Sequence, residues 1–549
     1  CKTKGFYIYK VFNFYMDIDC LPIAKTGYFS KLICDYVAAE TKLKPLYNRF
    51  PDVEGFKGQL EEKGKHFTNA HRDVLHNSML KQYKNTDVSK KTSANIELLK
   101  EKNTFTIVTG HQLNLFTGPL YFLYKIISTI NLTKQLKTAY PDSNFVPIYW
   151  MATEDHDFDE INYFNFKGLK FQWNKDASGA VGHLKTKGLG EVFDLFAQTI
   201  GDSKNASQLK GLFENAYLKH DNLTDATRYL ANEIFKDYGL VIVDGDDADL
   251  KKLLVPYMKK DIFEQIAFKK VTETIEELEQ ISSDYPVQVN PREINYFYLK
   301  DGIRERIIQS KEKYLVNDTT ISFTKEELID EMDAHPERFS PNVIARPLYQ
   351  EVILPNLCYI GGGGEIAYWL ELKAAFEAMN VPFPILLVRN SALIITEKQA
   401  DKLERMNISK SDIFLKQNSL INKKIREISN IDIDFSPQKK LLEEQFKDLY
   451  ALTEKTDKSF LGAVKAQEVK QKKGLDALEK RLLKAQKRKL RDQVVRMTEL
   501  QNEIFPNQSL QERQLNFSEF YLEYGEDLVP MLFEALQPLD LTFTVITQK

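Results

Sequence analysis

A strand, a helix and a second strand follow one another within residues 104–150, and no other stretch constrains the fold of this 549-residue chain as tightly. TFTIVTG is rich in β-formers and ends in glycine. GPLYFLYKIISTINLTKQLK sets Leu120, Leu123, Ile127 and Ile130 at helical spacing, and FVPIYWMA is a second run of buried-strand type. Thr117 is placed to cap the helix, with Pro119 in its first turn. Strands joined through a helix run parallel, so their carboxyl ends share one edge, where open α/β sheets bind ligands. The pattern recurs: LPNLCYI is a strand, residues 361–364 a glycine loop, and EIAYWLELKAAFEAM a helix with Ile366, Trp369, Leu372, Phe376 and Met379 inward. PFPILLVRN and GLVIVDG add further strands. The expected fold class is therefore α/β around a parallel sheet, with insertions near residues 163–225 and 285–337.

From about Ser436 the chain becomes charged and nearly free of glycine and proline. Leu475, Leu478, Leu482 and Ala485 follow a 3,4,3 rhythm that Leu490, Val494, Met497, Leu500 and Ile504 resume after a phase slip. This is the pattern of a coiled coil with a stutter. The basic run KAQKRKLR (484–491) falls between heptad positions and reads as a solvated face. Heptads require a helical partner, which lies either in the same chain or in a second copy of it. The expected divisions are a non-native leader over residues 1–15, upstream of a start at Met16, a core over 16–395, a helical coiled-coil domain over 396–512, and a segment over 513–549 that folds back on the body.

Composition narrows the function. Lys and Arg total 75 against 78 Asp and Glu, a net charge of -3 that offers no overall field to nucleic acid or an anionic membrane. No stretch approaches the roughly 20 apolar residues of a membrane span. Four cysteines, Cys1, Cys20, Cys34 and Cys358, form no CxxC pair, so neither structural zinc nor a disulfide framework is expected. A reducing cytoplasm is the natural setting.

Three loops carry the chemistry. GHQLNLFTGP puts His111, Gln112, Asn114 and Gly118 between a strand and a helix N-terminus, suited to a phosphate or carboxylate, though equally to a capped turn. EDHDFDE crowds Glu154, Asp155, His156 and Asp157 after a buried strand, where repulsion calls for a balancing cation. That cation is either a substrate amine or Mg²⁺ with His156 as a nearby base, while Asp157 or Asp159 would also suit a helix cap. Gly361, Gly362, Gly363 and Gly364, followed by Glu365 and Trp369, make a third loop on the same edge, without the GK[ST] of a P-loop. Arg346, Gln350, Arg389 and Asn390 lie near neighbouring strands, and either arginine suits an anion or a structural ion pair.

TGHQLNLFTGPLYFLYK, PIYWMATEDHDFDEIN, FSPNVIARPLYQEVILPNLCYIGGGGEIAYWLELK and LLVRNSA, in this order before a coiled-coil tail, closely resemble the bacillithiol-biosynthesis cysteine-adding enzymes. The resemblance covers nearly everything from Met16 onward. It implies a Rossmann-like core related to class I aminoacyl-tRNA synthetases, connecting-peptide insertions and a coiled-coil arm used in dimer formation. It also implies the joining of cysteine to the amino group of glucosaminyl-malate, with ATP as co-substrate, Mg²⁺ as its companion, and an adenylate as the activated form of cysteine. His111, Gln112 and Asn114 stand where class I synthetases carry their first ATP signature, but the two-histidine form is absent and no lysine-rich second signature follows. Lys125, Arg346 and Arg389 are the candidates to stabilise phosphate. Asp155 and His156 are expected to contact substrate, and Glu154 or Asp157 to position the attacking amine. Two rivals share the fold: a non-catalytic coiled-coil dimer that binds a nucleotide or thiol, and a metal-dependent hydrolase built on EDHDFDE. The ligase reading requires residues 109–119, 153–160 and 361–369 to face one cavity.

Overall fold

The computed structural model describes residues 8–11, 14–300 and 302–548. Most of the expected leader, residues 1–15, lies outside them; its described part is the strand Ile8–Val11 paired antiparallel with the start of Phe14–Pro22.

The centre is a parallel sheet of β1 (Thr104–His111), β2 (Asn144–Met151), β3 (Val241–Asp244), β4 (Asn356–Gly361) and β5 (Ile385–Val388). Its spatial order is β3-β2-β1-β4-β5. Helices cover both faces, which is why β1 and β4 are buried almost throughout rather than on alternate residues. Between β1 and β2 runs α1 (Tyr121–Ala139), burying Leu123, Ile126, Ile127 and Ile130. Three further helices frame the sheet edge: α2 (Ala248–Glu264), α3 (Arg346–Ile353) and α4 (Gly363–Trp369). The chain builds outward from β1 to β3, then returns to the other flank of β1 for β4 and β5. Loops after β1 and β4 therefore depart in opposite directions and leave a crevice between them.

Two local expectations are corrected. Thr117 does not cap α1: the helix starts at Tyr121 with no side-chain cap, and Phe116 and Thr117 both take left-handed backbone, φ 49° and 69°. Packing holds that strained turn. Phe116 sits among Phe164, Phe196, Phe213 and Phe517 with ring centroids 5.1–5.4 Å away. Asn516 Nδ2 donates to the Phe116 and Gly118 carbonyls at 2.7 and 2.6 Å. Secondly, EIAYWLELKAAFEAM is two helices, α4 and Lys373–Ala378, because Glu371 is drawn fully inside between them to accept the Gln288 N–H at 3.0 Å.

The second irregular stretch is a five-stranded antiparallel sheet whose order is Ser322–Phe323, Lys313–Val316, Ile303–Ser310, Tyr296–Lys300 and Phe339–Pro341. It stands over the carboxyl edge of the parallel sheet. C-terminal to β5, α5 (Ser436–Thr453) turns back along α6 (Lys458–Lys489) as an antiparallel hairpin, tied by Lys439 to Asp476 and Glu479 and by Tyr450 to Glu468. The phase slip in the heptads is a break at Leu490, after which α7 (Arg491–Ile504) begins. Leu461, Val469 and Leu478 remain exposed on α6. The final strand, Thr542–Gln548, inserts between Phe14–Pro22 and Ser391–Ile395, antiparallel to the first and parallel to the second.

Among the described residues no helix is long and apolar enough to cross a membrane.

Candidate functional site

A cleft of about 430 Å³ opens at the carboxyl edge of the sheet, where the strand order reverses. All three strand ends reach it: Gly110 and His111 closing β1 with Gln112 beyond them, Thr153, Glu154, Asp155 and Asp157 after β2, and Glu365 with Tyr368 after β4. Lys125 of α1, Arg346 of α3 and Arg304 of the antiparallel insertion complete the polar lining.

One side is cationic. Lys125 Nζ is buried, 2.7 Å from Glu365 Oε1, and donates to the Gly110 carbonyl at 2.7 Å. Burial pulls its pKa below the lysine range, and Glu365 only partly offsets this. Burial pushes the Glu365 carboxyl up, but the Lys125 charge and hydrogen bonds from Lys125, Tyr359 and the Gly362 N–H outweigh it and leave the group lowered and ionised. Arg346 lies 5.5–6.0 Å from the ring centroids of Trp150, Tyr359 and Trp369, and its Nη1 donates to Gln350 Oε1 at 3.0 Å. His111 packs against Tyr121 and Phe122; burial first, then Lys125 and Arg389, holds it well below the usual imidazole range. It is a neutral ring, able to donate or accept one hydrogen bond but not to balance a phosphate.

The opposite side is acidic. Glu154 is buried and pairs with Lys251 Nζ at 2.6 Å, and the same ammonium meets Asp246 at 2.8 Å. Burial, reinforced by Asp246, raises the Glu154 pKa against the pull of Lys251. On Lys251, burial opposes the charge, yet the two carboxylates win and keep it protonated. Asp155 accepts from Gln112 Nε2 at 2.9 Å and from the His156 N–H at 2.8 Å. His156 is half exposed, outside the cleft lining, and its Nδ1 receives Arg304 Nη1 at 2.7 Å.

Asp155, His156 and Asp157 are close enough to share a cation. A resident Mg²⁺ nonetheless fits them poorly: both Asp155 oxygens are engaged, and the histidine nitrogen already faces a guanidinium.

Other sequence-selected residues support the site from outside the lining. Asn114 bonds the Glu160 carbonyl, and a Cβ on Gly118 would come 2.6 Å from its side chain. In the glycine run only Gly361 is tight, since a Cβ there would come 3.0 Å from both Glu365 and Tyr359; at Gly363 and Gly364 it would make ordinary contacts with Ile33 at 3.5 Å and Gln288 at 3.8 Å, and Gly362 caps α4. Trp369 stacks beneath Tyr359 at 4.3 Å. Arg389 pairs with buried Glu512 at 2.7 Å, and Asn390 bonds Ser128 and the Gln537 carbonyl. Arg304, Lys251 and Asp246 had not been selected. For Asp246 a signal exists, since GLVIVDG is another strand followed at once by acidic residues; IRERIIQS around Arg304 offers none.

Two adjoining family models match the chain: "Bacillithiol biosynthesis BshC, N-terminal Rossmann-like domain" over residues 16–390 and "Bacillithiol biosynthesis BshC, C-terminal coiled-coil domain" over 392–548. The chain is 61% identical to a protein of Flavobacterium johnsoniae (97% of this chain, 100% of the relative) and 60% identical to one of Christiangramia forsetii (97% and 99%). Both bear the name "Putative cysteine ligase BshC". A Bacillus cereus protein of the same name is 27% identical over 94% of this chain and 97% of its own length. A solved structure, "putative arginyl t-RNA synthetase" from Campylobacter jejuni, aligns at 12% identity over 81% of this chain and 98% of that one, with a TM-score of 0.22, too slight to carry an argument. Two models spanning nearly the whole length, and relatives matched almost end to end, place the chain in the bacillithiol biosynthesis BshC family.

Proposed function

We propose that this protein is a ligase that adds L-cysteine to the amino group of glucosaminyl-malate, yielding bacillithiol. The observation that carries the reading is the division of the cleft: Lys125 and Arg346 on one side, Glu154, Asp155 and Asp157 on the other, at the switch point of a parallel sheet. A free carboxylate has no adequate leaving group, so amide formation requires activation. ATP fits as co-substrate: a cysteine carboxylate oxygen attacks the α-phosphorus, pyrophosphate leaves, the sugar amine attacks the acyl carbon, and AMP departs with the oxygen. The cationic side suits the anions of the first step. The acidic side suits the ammonium that precedes the attacking amine and the proton it releases. Of the carboxylates there, Asp155 and Asp157 are the less buried and the better placed to meet that amine.

Such chemistry belongs where ATP and free thiols coexist, in the cytoplasm. The exposed apolar positions of α6, Leu461, Val469 and Leu478, support pairing of two copies through the arm.

Purified protein given ATP, cysteine and glucosaminyl-malate should form the cysteinyl product and AMP. With cysteine alone, it should exchange labelled pyrophosphate into ATP. Product without exchange would argue for another route of activation, and no product at all would sink the ligase reading.

A further inference from the structure

The cations around the cleft differ in how their charge is balanced. Lys125 has Glu365 at 2.7 Å, Lys251 has Glu154 and Asp246 at 2.6 and 2.8 Å, and Arg389 has Glu512 at 2.7 Å. Arg304 reaches His156 and lies in the field of Asp155, Glu154 and Asp157. Arg346, like Arg304, has no carboxylate in ion-pair contact among the described residues; it lies in the field of Glu365 and hydrogen-bonds Tyr368, but its Nη2 is buried without a hydrogen-bond partner although the residue lines the cleft. Burial disfavours the guanidinium charge, but Tyr368, Tyr359 and Glu365 outweigh it and leave the pKa raised. The rings of Trp150, Tyr359 and Trp369 flank it at 5.5–6.0 Å.

The rest of the side chain is firmly aimed. Nη1 donates to Gln350, which is wholly buried and donates in turn to Glu351 Oε1 at 2.9 Å. Glu351 is fixed by Lys63 at 3.0 Å and by Asn356 at 2.6 Å. This buried ladder runs from the helix Val53–His66 to the cleft and holds one edge of the guanidinium, leaving the other unfilled. Gly110 sits beside it: a Cβ there would lie 4.0 Å from Nη1 and 3.5 Å from the Tyr359 hydroxyl. Arg346 is also the first residue of α3, where the helix dipole disfavours a cation and favours an anion. Guanidinium and helix end thus present the same sign to the same space.

We propose that Arg346 anchors an anion in this cleft, its unfilled Nη2 edge receiving the oxyanion of a reactant in the activation step, either the carboxylate of the amino acid or a phosphate of the nucleotide. The assignment rests on the ligase reading and names the residue that would hold one of its reactants. Gln350, Glu351 and Lys63 are positioning residues for it.

Calorimetric titration of the full-length protein with cysteine alone, and with a non-hydrolysable ATP analogue alone, separates the two sources. In Arg346→Gln, affinity for one of these ligands should fall roughly a hundredfold, with a matching rise in its KM. In Arg346→Lys, which keeps the charge but loses the planar fork, the same ligand should weaken roughly tenfold. The ligand affected identifies the anion, and thermal unfolding of each variant reports any loss of fold. If Arg346→Lys binds both ligands and turns over as the parent does, the proposal is overturned even where the parent forms product. Failure of the parent to form product is a separate result, against the ligase reading itself.

Discussion

Arg304 and His156 stand 148 residues apart in the chain, and the guanidinium of one donates to Nδ1 of the other across 2.7 Å. This contact clips the antiparallel insertion to the acidic loop after β2. Because Nδ1 accepts, a neutral His156 carries its proton on Nε2, which lies 3.7 Å from Asp157. The ring's one lone pair is already in use, so His156 is poorly placed to act as a general base. The contact joins Arg304 to the loop.

That pairing sets a measurable expectation. A general base would cost about 10² or more in turnover when removed; His156→Ala should instead lower kcat/KM about tenfold, and Arg304→Ala by a similar factor. The double variant should be no worse than the poorer single, since both changes break one contact. Losses that multiply would show that the two residues act independently.

Arg389 and Glu512 form a pair almost wholly out of water. Arg389→Met should leave the Glu512 carboxylate buried and uncompensated and cost about 3–5 kcal/mol of stability. Turnover per folded molecule, measured well below the unfolding midpoint, should change little, because Arg389 lies outside the cleft lining. Undiminished stability with collapsed turnover would return Arg389 to the catalytic machinery.

Glu371 links stability to pH. Burial raises its carboxyl to about 7, against the lowering by the backbone N–H groups of Gln288 and Val289. A carboxyl whose pKa is raised on folding contributes stability that is fully present below its unfolded value, near 4.5, and is lost as pH rises through 7. Glu371→Gln removes the ionisation. The variant should therefore gain on the parent between pH 5 and 8, by up to about 3 kcal/mol, and the difference should flatten below pH 4.5. Parallel unfolding curves across that range would show that Glu371 does not titrate as its burial implies.

On the arm, Leu478 is 53% exposed in the single chain. Leu478→Glu should turn a dimer into a monomer in sedimentation or light scattering, without altering the fold of the head. A monomeric parent protein would exclude pairing through the arm.

The sheet, its carboxyl edge and the three loops were legible because each strand is a short run of β-forming residues that glycine or polar residues interrupt at once. Detail within the loops was less accessible. Four successive glycines resemble a ligand-approach loop in one dimension, whereas in space Gly361 makes room for Glu365 and Tyr359. Arg389 and Asn390 follow a strand as ligand residues often do, but Glu512 and Gln537, more than a hundred residues later, occupy them. Thr117 had the composition of a cap and lost that place to the aromatic cluster around Phe116. Such outcomes depend on partners remote in sequence, which neither propensity nor spacing encodes.

The strand Thr542–Gln548 lies in the interior of its small sheet rather than at an edge. It is synthesised long after Phe14–Pro22 and well after Ser391–Ile395, so both strands must wait for the neighbour that joins them. Until then each presents an open row of amides and carbonyls. A nascent chain stalled short of residue 542 would carry a formed parallel sheet beside two unzipped strands. Excising the first 390 residues as a free-standing module would create a similar hazard of self-association, lacking both that strand and the buried carboxylate of Glu512.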